Sequence, residues 1–274
     1  MMRSASRQAL AAVQEHQRSV VGDQASADTL TTLAEELYAV AGLLVAQPRL
    51  RRTLGDPATD PDGRAEFVGR LLQGKIGDQT LDVAREAVRQ RWSTPFDLTD
   101  AIEGAGDDAL FAAAEQGGEL TRVEDELFRF ERVLQADGEL TGLLDEFTAD
   151  PARRNELLGT LLEGKVSSVT LALLRHAVTS ERKRSIVLAI DDLLEQAAAR
   201  QERSVARVVS AVELTDAQTE RLASALSDTY GRRISVRSAV DPSLRGGLVV
   251  RIGDEVIDGS IATRLAGARA MLAG

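Results

Sequence analysis

Two segments of the chain match the G-x-x-x-x-G-K spacing of a phosphate-binding loop, at residues 69–75 and 159–165. In such a loop the backbone N–H groups hold the phosphates, and a Ser or Thr after the Lys reaches a magnesium ion. Here Ile76 and Val166 follow the lysines instead. A helix that starts at a proline, rather than a strand, is also predicted before each segment. The two matches therefore do not predict a nucleotide site, and no cofactor is expected.

The side chains that most often bind metals or act as general bases are few and scattered. His16 and His176 are the only histidines, and the chain has no Cys. An isolated histidine is more often a packed or exposed side chain than a ligand or a catalytic base. The acidic pairs Asp107-Asp108 and Asp191-Asp192 are typical of solvated helix faces, because a catalytic carboxylate pair needs one member in an apolar pocket. We expect neither a catalytic site nor a metal site.

The composition is that of a globular protein, with 43% hydrophobic and 28% charged residues in a chain of 274. Because only 3% of the residues are aromatic, Leu, Val and Ala must supply the packing, which favours helices with aliphatic stripes. The net charge of −10 opposes binding to nucleic acid or to anionic lipid. The longest apolar stretch, Tyr38 to Ala46, is shorter than the ~20 residues of a membrane span, and the N-terminus lacks the apolar run of a secretion signal. We expect a soluble cytoplasmic chain with no direct membrane insertion.

An internal repeat with an offset of 90 residues fills the first two thirds of the chain. Glu36-Leu37 returns as Glu126-Leu127, and Asp60-Pro61 returns as Asp150-Pro151. Gly74 and Gly164 stand where a left-handed C-cap would end the helix that each proline begins. Each copy also carries an apolar stripe at helical spacing, formed by Leu33, Leu37, Val40 and Leu44 in the first and by Val123, Leu127, Phe130 and Leu134 in the second. The repeat predicts duplication of one compact helical bundle.

The join between the two copies is predicted from its glycines. Gly104, Gly106 and the pair Gly117-Gly118 interrupt the pattern, so we place the join near residues 95 to 120. Trp92, the only tryptophan, lies just before this region. We interpret it as a packing anchor, with a partner hot spot as the alternative.

After residue 201 the apolar period changes from helical to strand-like. Thr215 and Gln218 form a capping box at the start of a helix between two strands. The strand faces are predicted to hold Ala206, Val208 and Val212 in the first strand, and Ile234, Val236 and Ser238 in the second. The predicted fold is mainly α, with two tandem helical bundles at residues 1–97 and 98–200, followed by a small α+β domain with a β-hairpin at residues 201–274.

The segment from Val240 to Leu265 predicts a strand, a tight turn, a second strand and a capped helix in succession. Residues 248–252 are mainly apolar and β-branched, Gly253-Asp254 suits a two-residue hairpin turn, and Ser260 can cap the helix that follows. Gly246-Gly247 indicates a bulge or a close backbone approach.

This segment resembles the C-terminal signature of the delta subunit of F-type ATP synthases, the family that includes the mitochondrial oligomycin-sensitivity-conferring protein. The matching positions, in the family's order and spacing, are Asp241-Pro242, Gly246-Gly247, Arg251 to Asp254, Val256 to Ser260 and Arg264-Leu265. Leu110 to Gly117 also resembles the first helix of the family, so the resemblance covers about residues 98 to 274.

The resemblance implies a non-catalytic stator subunit of the peripheral stalk, which holds the catalytic head against the torque of the rotor during proton-driven ATP synthesis. In the family, the helical domain receives N-terminal helices of the alpha subunits, and the C-terminal domain contacts the b subunits. The resemblance also implies a location at the cytoplasmic face of the bacterial cell membrane. The groove for an alpha helix is expected to involve Leu110, Ala113, Leu171, Leu174 and Arg175. Plain bundle core is the alternative interpretation of the same residues.

Residues 1–97 depart from the family pattern, and their role is open. They could form an extra contact with the b subunits or the head, act as a spacer, or duplicate the groove for alpha. Two other functions also remain open at this point. One is a free helical-repeat adaptor of another assembly, and the other is an enzyme with an unrecognised acidic site.

Overall fold

The computed structural model describes residues 4–22, 25–146, 148, 150–180, 185–203, 205–230, 234–241, 244, 246–252 and 255–259. The helices in this part are α1 (Ser4–Val21), α2 (Ala27–Ala46), α3 (Pro48–Gly55), α4 (Pro61–Leu72), α5 (Asp78–Arg89), α6 (Pro95–Gln116), α7 (Leu120–Ala136), α8 (Gly138–Leu144), α9 (Pro151–Leu162), α10 (Ser168–Thr179), α11 (Ile186–Arg203) and α12 (Asp216–Tyr230). The strands are β1 (Val205–Ser210), β2 (Ser235–Val240), β3 (Leu248–Ile252) and β4 (Glu255–Asp258). The predicted mainly α fold with a small C-terminal α+β part is confirmed.

The chain divides into two compact units, Met1–Glu195 and Gln196–Gly274. In the first unit the predicted repeat is visible helix by helix. Helix α4 and helix α9 have the same length and begin 90 residues apart, and so do α5 and α10. The two predicted stripes are buried on α2 and α7, where each of the eight residues is at most 6% exposed. The same helix face is therefore packed in both copies, because the same apolar pattern was duplicated.

The helix ends also follow the sequence signals. Asp60 accepts a hydrogen bond from the N–H of Gly63 at the start of α4, and Asp150 accepts one from the N–H of Ala152 at the start of α9. Gly74 and Gly164 both have φ of +74°, in the left-handed region that favours glycine. The segments with phosphate-loop spacing are therefore a helix and its C-terminal turn, as the sequence indicated.

Helix α6 runs without a break through Gly104 and Gly106 and ends just before Gly117-Gly118, so the first two glycines do not separate two bundles. It packs most extensively against α2 of the first copy and also contacts α7 and α10 of the second. By the 90-residue offset, α6 corresponds both to α1 and to α11. It is thus the last helix of one copy and the first helix of the next, and the two copies share a core.

Helix α2 has the length and hydropathy of a membrane span, with 20 residues and a mean hydropathy of 1.3. Its most apolar stretch, from Tyr38 to Ala46, is by itself too short for a span. In the structure seven of its residues are buried, and its main neighbour is α6. This is the arrangement of a core helix in a bundle, in which the apolar face is covered by protein.

The second unit contains a mixed sheet with strand order β2-β1-β3-β4. Strand β1 pairs with β2 in parallel and with β3 in antiparallel register, and β3 and β4 form the predicted hairpin. One face of the sheet packs on α12 through Ala206, Val208, Leu226, Ile234, Val250 and Ile252. The capping box at Thr215 and Gln218 is confirmed, since each residue's side chain accepts a hydrogen bond from the other's backbone N–H.

Three details of this unit differ from the sequence analysis or lie outside the described residues. Val212 lies beyond the end of β1 and is 70% exposed, so it is not part of the strand face. Gly246 and Gly247 have φ of +132° and +85° immediately before β3, which accounts for glycine at both positions. The predicted turn at Gly253-Asp254 and the predicted helix from Ser260 are outside the described residues.

Candidate functional site

The structure places the five candidate partner-binding residues on α6 and α10, which pack against each other. Leu110 and Ala113 are 1% and 4% exposed on α6, and Leu174 is fully buried on α10. Leu171 is half-buried, and the Arg175 side chain is 42% exposed. In this conformation Leu171 and Arg175 offer surface to a partner, whereas the other three belong to the bundle core.

Arg175 lies across helix α9. One of its guanidinium nitrogens is 3.7 Å from Glu163, and the same nitrogen lies 3.6 Å from where a Cβ would be on Gly159. The first copy repeats this arrangement more tightly, since a Cβ on Gly69 would lie 2.5 Å from a guanidinium nitrogen of Arg85. An arginine therefore packs over the first glycine of each phosphate-loop match, closely at Gly69 and at ordinary contact distance at Gly159.

A polar cluster joins α2 of the first copy to α6 and α10. The Tyr38 hydroxyl donates a hydrogen bond of 2.7 Å to Asp107, and the Tyr38 ring stacks on His176 with centroids 3.6 Å apart. A Cβ on Gly106 would lie 2.5 Å from the Tyr38 ring. Glycine at this position of α6 therefore permits the tyrosine to lie against the helix.

Two more acidic or polar side chains complete this cluster. A His176 ring nitrogen is 3.8 Å from Glu103, and the Ser180 hydroxyl donates a hydrogen bond of 3.1 Å to the same carboxylate. Burial, together with the nearby carboxylate of Asp107, raises the pKa of Tyr38 well above its ordinary value. The tyrosine is therefore a neutral hydrogen-bond donor at physiological pH.

No sequence motif marks this cluster, and the prediction for one of its residues is wrong. Asp107 was predicted on a solvated face, but it is 8% exposed. Asp107, Glu103 and His176 lie on different helices or turns and are distant from Tyr38 in sequence, so no motif links them. The sequence does contain one sign of this cluster: the two copies differ at these positions, since Tyr38 corresponds to Phe128 and His176 to Glu86.

A carboxylate caps the fifth helix of each copy. Glu126 accepts hydrogen bonds from the N–H of Ser167 at 2.8 Å and from the hydroxyl of Thr170 at 2.6 Å, at the start of α10. Glu36 accepts the corresponding bonds from Gly77 and Thr80 at the start of α5. Burial alone would raise the pKa of Glu126, but the hydrogen bonds from Thr170, Ser167 and Arg122 outweigh it and lower the pKa below its ordinary value.

Buried cations and the tryptophan also have structural partners. Arg64 is 3% exposed and donates hydrogen bonds to the carbonyls of Leu54 and Arg89, and burial lowers its pKa. Its counterpart Arg154 is also 3% exposed. Trp92 is 2% exposed, and its indole N–H donates to the carbonyl of Ala87, which confirms the packing anchor.

The remaining candidates for chemistry do not form a site in the described part of the chain. His16 lies 3.3 Å from Asp82, with both side chains partly exposed. No group of three or more His, Cys, Asp or Glu side chains suited to a metal ion occurs among the described residues. The polar side chains above instead hold helices together. The fold and this arrangement define a helical scaffold protein with a duplicated bundle and a small mixed unit.

Comparisons with known proteins identify the family. A model described as the ATP synthase delta (OSCP) subunit matches residues 108–272. An ATP synthase subunit delta of Streptomyces griseus subsp. griseus is 45% identical over 273 residues, covering 100% of both chains. An ATP synthase subunit b-delta of Mycobacterium sp. (strain KMS) is 42% identical over 271 residues, covering 99% of this chain and 61% of the relative.

A chain of the mitochondrial ATP synthase hexamer of Toxoplasma gondii also matches, with a TM-score of 0.29 and 17% identity over 61% of this chain and 95% of that chain. That likeness is too low to support an argument. The family model and the full-length relatives suffice, and the chain belongs to the ATP synthase delta (OSCP) subunit family. It is a structural stator subunit of the F-type ATP synthase and does not itself catalyse a reaction. The Streptomyces relative matches this chain from end to end, so the first helical copy is shared within this part of the family.

Proposed function

We propose that this chain connects the alpha subunits of the catalytic head to the b subunits of the peripheral stalk, at the cytoplasmic face of the bacterial cell membrane. The three parts predicted from sequence are the proposed working units, with the helical copies at residues 1–97 and 98–200 and the small domain at 201–274. The helical copies hold the head, and the small domain holds the stalk.

One observation carries the proposed link to b. The Mycobacterium relative named subunit b-delta aligns with 99% of this chain, yet this alignment covers only 61% of that relative. That polypeptide has room for a further segment, and its name joins b with delta. A partner that is covalently attached in one relative is expected to bind non-covalently where the two are separate chains.

The proposed contact with alpha uses the candidate residues on α6 and α10. Leu171 and Arg175 provide its surface. The buried side chains of Leu110, Ala113 and Leu174 pack beneath that surface and hold the two helices together. An amphipathic helix laid on this surface would bury apolar side chains against Leu171 and place an acidic group near Arg175. A stator contact must withstand torque without dissociating. Burial of an apolar helix face supplies the binding free energy for this, and no catalytic step is involved.

The experiment measures binding of the full chain to a peptide of the alpha N-terminus from the same organism. Leu171→Glu and Arg175→Glu are each expected to weaken binding by about tenfold or more, since the first places a charge in an apolar contact and the second puts a carboxylate opposite the acidic group of the partner. Thr160→Glu on the exposed side of α9 is the matched control and should bind as the original chain does. Unchanged affinity in both variants, with the fold intact, would remove α10 from the alpha contact.

The link between head and stalk is tested separately in cells. Deletion of the gene should leave membranes that retain the proton-translocating sector but release the catalytic head on washing. A coupled and intact ATP synthase after deletion would contradict the proposed role. Removal of residues 1–97 is not a suitable truncation, because α6 and α2 share one core.

A further inference from the structure

Three arginines lie directly opposite one another across the C-terminal sheet. Arg207 on β1 is the register partner of Arg237 on β2 and also of Arg251 on β3. All three residues are exposed. We call Arg237, Arg207 and Arg251 the arginine row.

The arginine row lies on the face of the sheet that points away from α12. Side chains alternate between the two faces of a strand, and Ala206, Val208, Val250 and Ile252 on either side of the arginines pack in the core with α12. Val256 on β4 continues the row beyond Arg251 and is 49% exposed. Val205, Val209 and Val249 lie on the same face, two residues along from the arginines, and are half-buried. The face therefore has a cationic line with apolar side chains beside it.

The charge of the chain is distributed unevenly between its two units. Residues 196–274 contain 11 arginines and 9 acidic residues, for a net charge of +2. The whole chain has 33 basic and 43 acidic residues, so residues 1–195 carry 22 and 34, for a net charge of −12. An acidic partner is therefore electrostatically favoured by the second unit and disfavoured by the first.

The spacing of the row indicates the shape of its partner. Neighbouring strands are about 4.8 Å apart, so the three arginines span about 10 Å across the strands. Carboxylates at positions i, i+4 and i+7 of an α-helix lie on one face and span about 10.5 Å along its axis. A helix that crosses the strands would thus match all three cations and rest its apolar side chains on the valines.

We propose that the exposed sheet face, with the arginine row at its centre, binds an acidic amphipathic helix of a partner polypeptide. Identification of that partner as a b subunit rests on the proposed function, and the face itself does not. The C-terminal segment of this chain does not suit the role, because residues 260–274 contain two arginines and no acidic residue. A partner strand would pair at the edges β2 or β4 and would not need cations on the face.

The test uses the full chain and two designed helical peptides of about 20 residues. The first peptide carries Glu at i, i+4 and i+7 beside a leucine stripe, and the second has the same composition with its Glu residues on different helix faces. The row variant is Arg207→Gln, Arg237→Gln and Arg251→Gln combined. The control variant combines Arg49→Gln, Arg153→Gln and Arg221→Gln, which are exposed positions and give the same change in net charge.

The original chain and the control variant are expected to bind the first peptide about tenfold or more tightly than the second. The row variant should lose this preference, with affinity for the first peptide lower by about 10- to 100-fold. Binding should also weaken as salt rises from about 0.05 to 0.5 M. The row variant should unfold at about the same denaturant concentration as the original chain, because substitutions at exposed positions usually change stability little.

Equal binding of both peptides by the original chain, or equal binding by the row and control variants, would overturn the proposal. So would a preference of the row for vesicles of anionic phospholipid over the first peptide. Pull-down of the soluble part of the b subunit separates the two proposals. If the original chain binds the first peptide but not b, the result supports the arginine row as a helix-binding site and contradicts the proposed link to b. If the row variant binds b as tightly as the original chain does, the result supports the link to b and shows that the arginine row does not form it.

Discussion

Gly106 and Gly104 on helix α6 provide a matched test of how the two helical copies are joined. A Cβ on Gly106 would lie 2.5 Å from the Tyr38 ring, whereas a Cβ on Gly104 would have no atom within 4 Å. The ring cannot easily move away, because its hydroxyl is bonded to Asp107 and its face is stacked on His176. Both glycines are in the same helix, so their substitution by Ala changes the backbone in the same way.

The expected free energies follow from two terms. Ala in place of Gly stabilises a helix interior by about 0.5 to 1 kcal/mol. At Gly106 the added methyl group also overpacks the core, at a cost of about 1 to 3 kcal/mol. We therefore expect Gly104→Ala to stabilise the helical unit and Gly106→Ala to be neutral or to destabilise it by about 2 kcal/mol. The two variants should differ by about 1 to 3 kcal/mol.

Urea unfolding followed by tryptophan fluorescence measures this difference in the relevant unit. Trp92 is the only tryptophan, and it is buried within the helical unit, so its fluorescence reports on the unfolding of that unit. A second measurement places Gly106→Ala in a Tyr38→Ala background, where the added methyl group should no longer clash. If Gly106→Ala is as stabilising as Gly104→Ala in the original chain, the reasoning about Tyr38 is refuted.

Two further predictions concern ionisation. Glu126→Gln should destabilise the helical unit by about 1 kcal/mol at pH 7, since it removes charge-assisted bonds at a partly exposed site. Because the folded pKa of Glu126 lies below its ordinary value of 4.5, this stabilisation is present above that pH and is lost as the pH falls through the lowered pKa, so the urea midpoints of variant and original should converge in acid. A constant gap at every pH would argue against the cap. In a Tyr230→Phe variant, absorbance at 295 nm should show no ionisation of Tyr38 near its ordinary pKa of 10.0 while the unit is folded. Because the pKa of Tyr38 is raised in the folded state, its contribution to the stability of the helical unit is present below pH 10.0 and is lost as the pH rises above that value. A normal titration curve for Tyr38 in the folded state would exclude the buried hydrogen bond to Asp107.

The repeat made much of the helical unit predictable, because its signals are local. The stripe on α2, the aspartate and proline at the start of α4, and the left-handed Gly74 each act within a few residues of sequence. Finding each signal a second time 90 residues later confirmed that it was structural. The same locality made the hairpin of β3 and β4 and the capping box of α12 readable.

The candidate groove was only partly predictable, since exposure depends on neighbours from the other copy. A helical stripe predicts which side chains share a face, but it cannot say how many faces of a helix are covered. Helix α6 is covered by helices of both copies, so Leu110 and Ala113 are buried. Helix α10 keeps one side open, so Leu171 and Arg175 retain surface.

The sequence by itself determined the helical class, the duplication, the helix ends and the family, since each of these follows from residue types at fixed spacings along the chain. Only the tertiary structure decided that α6 belongs to both copies, that Gly106 makes room for Tyr38, and that Arg207, Arg237 and Arg251 stand in one row. These features bring together residues from separate elements. Their positions are set by strand register and helix packing, which depend on the free energy of the whole fold and not on any local pattern.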